Sequence, residues 1–164
     1  MKTLIIFDSF FGNTEQIAQA IGNALGSAAQ GTPPDIRVVR ITNVTQEDLQ
    51  GIDLLIVGSP TRGFRPTPAI ADFLKAIAVN SLKGLRIAAF DTRIALEDID
   101  KPILRSMVKL GGYAAKPIVE ALRKKGGVQL LPPEGFFVNG EKGPLKEGEL
   151  ERAKLWAKQC IEKK

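Results

Sequence analysis

Leu4-Ile5-Ile6-Phe7 is an unbroken apolar run, and apolar residues return at helical spacing from Ile17 through Ala18, Ile21, Ala24 and Leu25. Between them lies the short polar stretch Asp8 to Thr14. A strand that is apolar at successive positions is buried on both faces, because neighbouring side chains point to opposite sides. The chain must therefore supply cover above and below this strand, and the helix that follows is the first piece of that cover. The turn between them, Ser9-Phe10-Phe11-Gly12-Asn13-Thr14, opens the helix. The first helical turn leaves backbone N–H groups without partners and carries the positive end of the dipole, so an anion is stabilised there without any Lys or Arg. Gly12 permits close backbone approach, Ser9 and Thr14 add hydroxyls, and Asn13 adds an amide. These residues suit a phosphate cradle, and they suit equally an ordinary turn with Asn13 or Thr14 as helix cap.

Further strands and helices alternate. The pattern predicts strands over 2–8, 36–41, 53–58, 85–90 and 128–131, the last broken by Pro132-Pro133 and resuming at Phe136-Phe137-Val138. It predicts helices over 13–25, then from Pro68 with Ile70, Phe73, Leu74 and Ile77 on one face, over 98–110 with Ile103, Leu104 and Met107 facing inward, over 115–125 with Pro117 in the first turn, and over 147–161. A loop containing Gly31, Pro33 and Pro34 and a polar connection Thr45-Gln46-Glu47-Asp48-Leu49, shaped like a capping box, flank the second strand. Such alternation predicts an α/β domain with a parallel sheet. Arg37 and Arg40 place the second strand on one edge; Gln129 and the two prolines place the fifth on the other. With right-handed crossovers the predicted order is 2-1-3-4-5, which leaves a ligand crevice where the tips of strands one and three diverge.

With 164 residues, 44% of them hydrophobic, the chain suits a single domain over 1–164. No apolar run approaches the ~20 residues of a membrane span, and Met1-Lys2-Thr3 runs straight into a strand, which predicts no signal peptide. A lone Cys predicts a reducing, cytoplasmic setting; Cys160 falls on one helical face with Ala153, Ala157 and Ile161 and is expected to pack in the core. The absence of His excludes Ser-His-Asp and Cys-His catalysis and imidazole metal sites. Difficult chemistry would then rest on a bound cofactor. The net charge of +5 is not accompanied by interleaved aromatics, which argues against nucleic acid. Arg123-Lys124-Lys125 and Lys163-Lys164 complement helix ends instead.

Two more segments reach the same sheet edge. Gly58-Ser59-Pro60-Thr61-Arg62-Gly63-Phe64-Arg65-Pro66-Thr67-Pro68 is stiffened by three prolines, and it either lays Phe64 against a flat ligand or tucks it under the loop. Asp91-Thr92-Arg93 follows the fourth strand. A phosphate-receiver domain needs an acceptor Asp after the third strand, where Gly58-Ser59-Pro60 stands; a nucleotide triphosphatase needs a Lys that Gly12-Asn13-Thr14 lacks. On the first loop, on Gly58-Ser59-Pro60-Thr61 and on the closing Gly143-Pro144-Leu145, the whole chain resembles the flavodoxin family.

The resemblance implies a flavodoxin-like three-layer sandwich, a five-stranded parallel sheet with helices on both faces, and FMN as cofactor. Ser9, Gly12, Asn13 and Thr14, with the backbone of Phe10 and Phe11, would hold its phosphate. Pro60, Thr61, Arg62, Gly63 and Phe64 would line one side of the ring system, with the peptide near Gly63 at the flavin N5, and Asp91, Thr92 and Arg93 would approach the other side. The chain departs from the family pattern in Phe11, where a hydroxyl is usual, in having no Tyr in the third loop, and in being basic. Arg62, Arg65 and Arg93 are expected to raise the two-electron potential by favouring an anionic reduced flavin. The resulting expectation is an electron carrier with an acidic redox partner. The alternatives are an FMN oxidoreductase acting on a quinone or porphyrinogen-like substrate, and a flavin-free interaction domain. The sequence fixes no oligomeric state.

Overall fold

The computed structural model describes residues 1–27 and 34–162. Gly31, Pro33 and the terminal Lys163-Lys164 pair lie outside the described residues. The elements run β1 (Lys2–Phe7), α1 (Asn13–Ser27), β2 (Asp35–Arg40), β3 (Leu54–Pro60), α2 (Pro68–Ala76), β4 (Arg86–Ile94), α3 (Pro102–Gly111), α4 (Ala115–Lys124), β5 (Val128–Gln129), β6 (Glu134–Val138) and α5 (Glu149–Glu162). Short 3-10 turns occupy Ile41–Asn43, Gln46–Leu49 and Leu96–Asp98. In the second of these the Asp48 carboxylate accepts from the Thr45 amide at 2.8 Å, the reciprocal half of a capping box.

The sheet is parallel in the order β2-β1-β3-β4-β5, as the edge residues predict, and β6 also pairs with β4. Pro132-Pro133 splits the last strand: β5 pairs with Arg86 and Ile87, β6 with Phe90 to Ile94. Proline has no N–H to give to a ladder, so the break falls where the prolines stand. This extends β4 through Ile94, and Asp91, Thr92 and Arg93 are strand residues rather than the loop predicted for them.

Alternation along the central strands divides the core. Ile5, Phe7, Leu54, Ile56, Ala88 and Phe90 face α1 and α5; Leu4, Ile6, Leu55, Val57, Ile87 and Ala89 face α2 and α4. Each fully buried Ile or Leu contributes on the order of 2 kcal/mol from area removed from water. Cys160 is fully buried in the first layer beside Ala153 and Ala157, as its helical register predicts. Phe90, Phe136 and Trp156 meet edge to face at centroid separations of 5.9 to 6.4 Å.

One expectation is overturned. Ile103, Leu104 and Met107 do not face inward: they are 78%, 42% and 50% exposed, and Leu110 is 94% exposed. Of α3 only Val108 is buried. Helical periodicity identifies the apolar stripe correctly but carries no information about what the stripe is turned towards.

Candidate functional site

The turn between β1 and α1 is held from several directions. The Ser9 amide donates to the Asp8 carboxylate at 2.9 Å, and the Gly12 amide donates to Ser9 Oγ at 3.0 Å. The guanidinium of Arg40, at the end of β2, donates to the Ser9 carbonyl. Gly12 has φ +85°, a backbone state that costs an L side chain about 1–2 kcal/mol. The helix ladder begins only with the Gln16 amide on the Gly12 carbonyl. Among the described residues the amides of Phe10, Phe11, Asn13 and Thr14 find no acceptor. A set of free N–H donors around one turn is an arrangement that suits an anion.

The side chains of this turn have separate tasks. Thr14 Oγ1 lies 2.8 Å from Thr92 Oγ1, tying the turn to β4. The Asn13 amide donates to the Lys142 carbonyl at 3.0 Å, so it pins the segment before α5. That contact requires Gly143, where a Cβ would sit 2.5 Å from the Asn13 amide. Phe10 and Phe11 are 55% and 44% exposed.

The second segment is a tight hairpin. The Arg62 amide donates to the Arg65 carbonyl at 2.9 Å and the Arg65 amide returns to Arg62 at 3.1 Å. Gly63 and Phe64 between them have φ of 53° and 69°, the signature of a type I′ turn. Phe64 is half-buried and lies against Gly111 at the end of α3, where an added Cβ would approach its ring to 3.0 Å. The hairpin base is fixed by the Thr61 amide on the Thr92 carbonyl, 2.9 Å, and by the Ala114 amide on Thr61 Oγ1, 2.9 Å.

In the third segment Asp91 is fully buried and accepts from the Ala115 amide at 2.7 Å. Arg93 grips the same carboxylate and lies 3.9 Å from the centroid of the Tyr113 ring. Its other side rests on the backbone of Gly135, where a Cβ would collide with the guanidinium at 2.1 Å. Burial pushes the Asp91 carboxyl up, and Arg93 opposes that shift.

These segments enclose a cleft of about 450 Å³, its open mouth included. Ser9, Phe10, Phe11, Asn13, Thr14, Pro60, Thr61, Arg62, Thr92 and Arg93 line it. Gly12, Gly63, Phe64 and Asp91 do not: Gly12 shapes the turn, Gly63 and Phe64 form the hairpin tip, and Asp91 lies beneath Arg93. At the mouth the Arg62 guanidinium stands 5.3 and 5.7 Å from the Phe10 and Phe11 ring centroids and 3.2 Å from Glu141.

The model of the flavodoxin domain family (Flavodoxin_5) matches residues 4–125. The chain belongs to this family. No curated protein sequence matches it significantly. Among solved structures it is similar to a flavodoxin from the domain Archaea, with 24% identity, a TM-score of 0.77, and 99% and 98% of the two chains covered. It is similar also to oxidised flavodoxin 2 from Bacillus cereus, with 21% identity, a TM-score of 0.75 and full coverage of both chains. A third likeness, to rubredoxin oxygen:oxidoreductase from Desulfovibrio gigas, has 18% identity and a TM-score of 0.70; it covers 98% of this chain and 35% of that one.

Within this flavodoxin domain, Ile94, Val138, Gly140 and Glu141 complete the cleft wall, and sequence reasoning missed all four. Three of them come from the tip of β6, outside the stretch matched by the family model. The available signal was Val138-Asn139-Gly140, a strand end meeting a glycine, on a strand that the proline break made hard to place. The positive potential expected from three arginines is also tempered. Arg93 is neutralised by Asp91 and Arg62 faces Glu141, while Arg65 forms no ion pair among the described residues.

Proposed function

We propose that this flavodoxin domain binds FMN in the cleft between β1, β3, β4 and β6 and carries electrons to an acidic redox partner. The observation that supports it most is the turn after β1, where the amides of Phe10, Phe11, Asn13 and Thr14 have no acceptor among the described residues. The donor set suits a terminal phosphate monoester: free amides, the Ser9 and Thr14 hydroxyls, and no side-chain cation in the turn. Bound FMN would supply one- and two-electron redox chemistry that no side chain here provides.

The protein's own part is placement. Ser9, the Phe10 and Phe11 amides, Gly12 and Thr14 would hold the phosphate, with Asn13 acting through its hold on Lys142. Pro60, Thr61 and Arg62 would lie on one side of the ring system and Thr92, Arg93 and Ile94 on the other. Arg62 is 39% exposed at the side chain, so it can swing from the mouth without opening a buried contact. The Gly63–Phe64 hairpin would present backbone rather than side chain to the ring edge. The sequence pI near 9.4, and Arg65, which forms no ion pair among the described residues, favour an acidic partner surface.

The test is direct. The purified protein should show flavin absorption bands, and protein stripped of ligand should quench FMN fluorescence with one-to-one stoichiometry. Riboflavin, which lacks the phosphate, should bind at least about a hundredfold more weakly. Absence of FMN binding by folded protein overturns the proposal. Rapid steady turnover of a pyridine nucleotide with a quinone, without added reductase, would replace the carrier reading with an enzymatic one.

A further inference from the structure

The two arginines of the edge strand β2 have different fates. Arg37 pairs with Asp48 on the connection that follows the strand. Arg40 forms no ion pair among the described residues. Residues 36, 38 and 40 leave the strand on one side, and Ile36 and Val38 pack into the layer of α1 and α5. Arg40 stands opposite Phe7 in the β1–β2 register, so its half-buried side chain emerges where β1 gives way to the turn that opens α1. There its guanidinium donates to the Ser9 carbonyl.

That carbonyl shares a peptide plane with the Phe10 amide. In a trans peptide the C=O and N–H point in opposite directions, and Ser9–Phe10 is trans. The oxygen is drawn towards β2 at the sheet edge, so the Phe10 N–H is turned the other way, to the side of β1 on which β3 and the cleft lie. Ser9 is fixed at its other polar atoms too, with its amide on Asp8 and its hydroxyl accepting from the Gly12 amide.

Charge gives Arg40 a second task. The turn contains no Lys or Arg, and a carboxylate flanks it on each side, Asp8 before it and Glu15 in the first turn of α1. Both oppose an anion. Two cationic side chains contact the turn among the described residues. Arg62 stands over the Phe10 and Phe11 rings but faces Glu141 at 3.2 Å. Arg40 has no such carboxylate of its own.

We propose that Arg40 arms this turn for a phosphate: it orients the Phe10 amide as a donor and supplies the positive charge that the turn's own residues lack. Within the FMN reading of the cleft, on which this rests, Arg40 is a positioning residue that acts on the phosphate through the Ser9–Phe10 peptide and through space. A peptide whose oxygen already accepts from a cation is polarised, which strengthens its N–H as a donor. Both effects fall on the phosphate and not on the ring system. Arg40 therefore governs the preference for FMN over riboflavin rather than affinity for flavin as such.

The experiment is fluorescence titration of the folded protein, stripped of ligand, with FMN and with riboflavin. Arg40→Gln should weaken FMN binding at least about tenfold and leave riboflavin within about twofold, while Arg40→Lys, which keeps the charge, should hold FMN affinity within about threefold. The Glu15 side chain makes no hydrogen bond or ion pair among the described residues. Glu15→Gln removes its opposing charge and should tighten FMN binding about two- to threefold, in the wild type and in the Arg40→Gln background alike. FMN and riboflavin weakened equally, or Gln and Lys equally harmful, would mark Arg40 as a mere structural brace and overturn the proposal. Should Arg40→Gln fail to fold, the other two variants decide: a Lys variant that loses FMN, or a Glu15 variant that gains nothing, contradicts it. Wild-type protein that binds neither flavin overturns the FMN reading instead, and inorganic phosphate then decides about Arg40. At fixed ionic strength, phosphate in place of chloride should raise the melting temperature of the wild type more than that of Arg40→Gln or Arg40→Lys, most of all against Gln; equal shifts in all three overturn the proposal as well.

Discussion

The guanidinium of Arg93 holds the carboxylate of Asp91, two residues back in the same strand, through hydrogen bonds of 2.5 and 2.7 Å. Residues i and i+2 point to the same face of a strand, so the pair is formed by β4 alone and then locked by Tyr113, Gly135 and the Ala115 amide. It joins the cleft wall to the start of α4 and delivers no net charge to the cleft.

Arg93→Gln should therefore be expensive, because it strands a buried carboxylate. The expected loss is about 3 kcal/mol in urea unfolding at pH 7.5. Its pH dependence has a definite sign. Burial raises the Asp91 pKa, and Arg93 opposes the rise; without Arg93 the folded-state value climbs further. A carboxyl with a raised folded pKa is most stabilising when protonated, below its unfolded value, and that contribution is lost as pH rises through the folded value. The deficit of the variant against wild type should thus shrink between pH 7.5 and pH 5. A deficit independent of pH would show that Asp91 is not the group left unpaired.

Gly58→Ala tests the aromatic layer. A Cβ at Gly58 would stand 2.1 Å from the Phe90 ring, and Phe90 is braced by Phe136 and Trp156 and cannot withdraw. Overpacking of this kind should cost about 3 kcal/mol, read as a lower urea midpoint. Phe90→Leu in the same background should recover part of the loss.

Cys160 should be inert in the folded protein. Burial pushes its thiol up to about 12, leaving roughly a thousandfold less thiolate than an ordinary Cys near 8.5 to 9 carries. Reaction with a disulfide reagent at pH 8 should be at least about a hundredfold slower in the native state than in 6 M guanidinium. The stability consequence lies at high pH only, since the raised value favours the folded state until pH exceeds the unfolded thiol's pKa and the advantage fades towards 12.

Arg62 and Glu141 form an exposed pair across the cleft mouth, with 39% and 70% of their side chains exposed, so either can be neutralised with little effect on folding. If FMN occupies the cleft, Arg62→Gln should lower its two-electron potential by about 20–30 mV, and Glu141→Gln should raise it by a similar amount. Redox titration of both variants checks this; equal potentials in all three proteins would mean that neither charge is felt by the ring.

By itself the sequence determined the succession of strands and helices and how the sheet is ordered, but not that β4 runs on through Asp91, Thr92 and Arg93. Unbroken apolar strands need two covering layers, and Arg37, Arg40, Gln129 and the prolines mark the edges, so local patterning leaves little freedom. It determined the turn of free amides after β1 as well, because Ser9 to Thr14 is one continuous stretch whose chemistry is local. Tertiary structure decided everything that depends on direction. Asp91 turned beneath Arg93, Asn13 reached Lys142, Phe64 went to Gly111 and Glu141 came to the cleft from the far end of the chain. The stripe on α3 faced outward for the same reason: periodicity sets which residues share a side of a helix, and only packing against the rest of the chain sets where that side points.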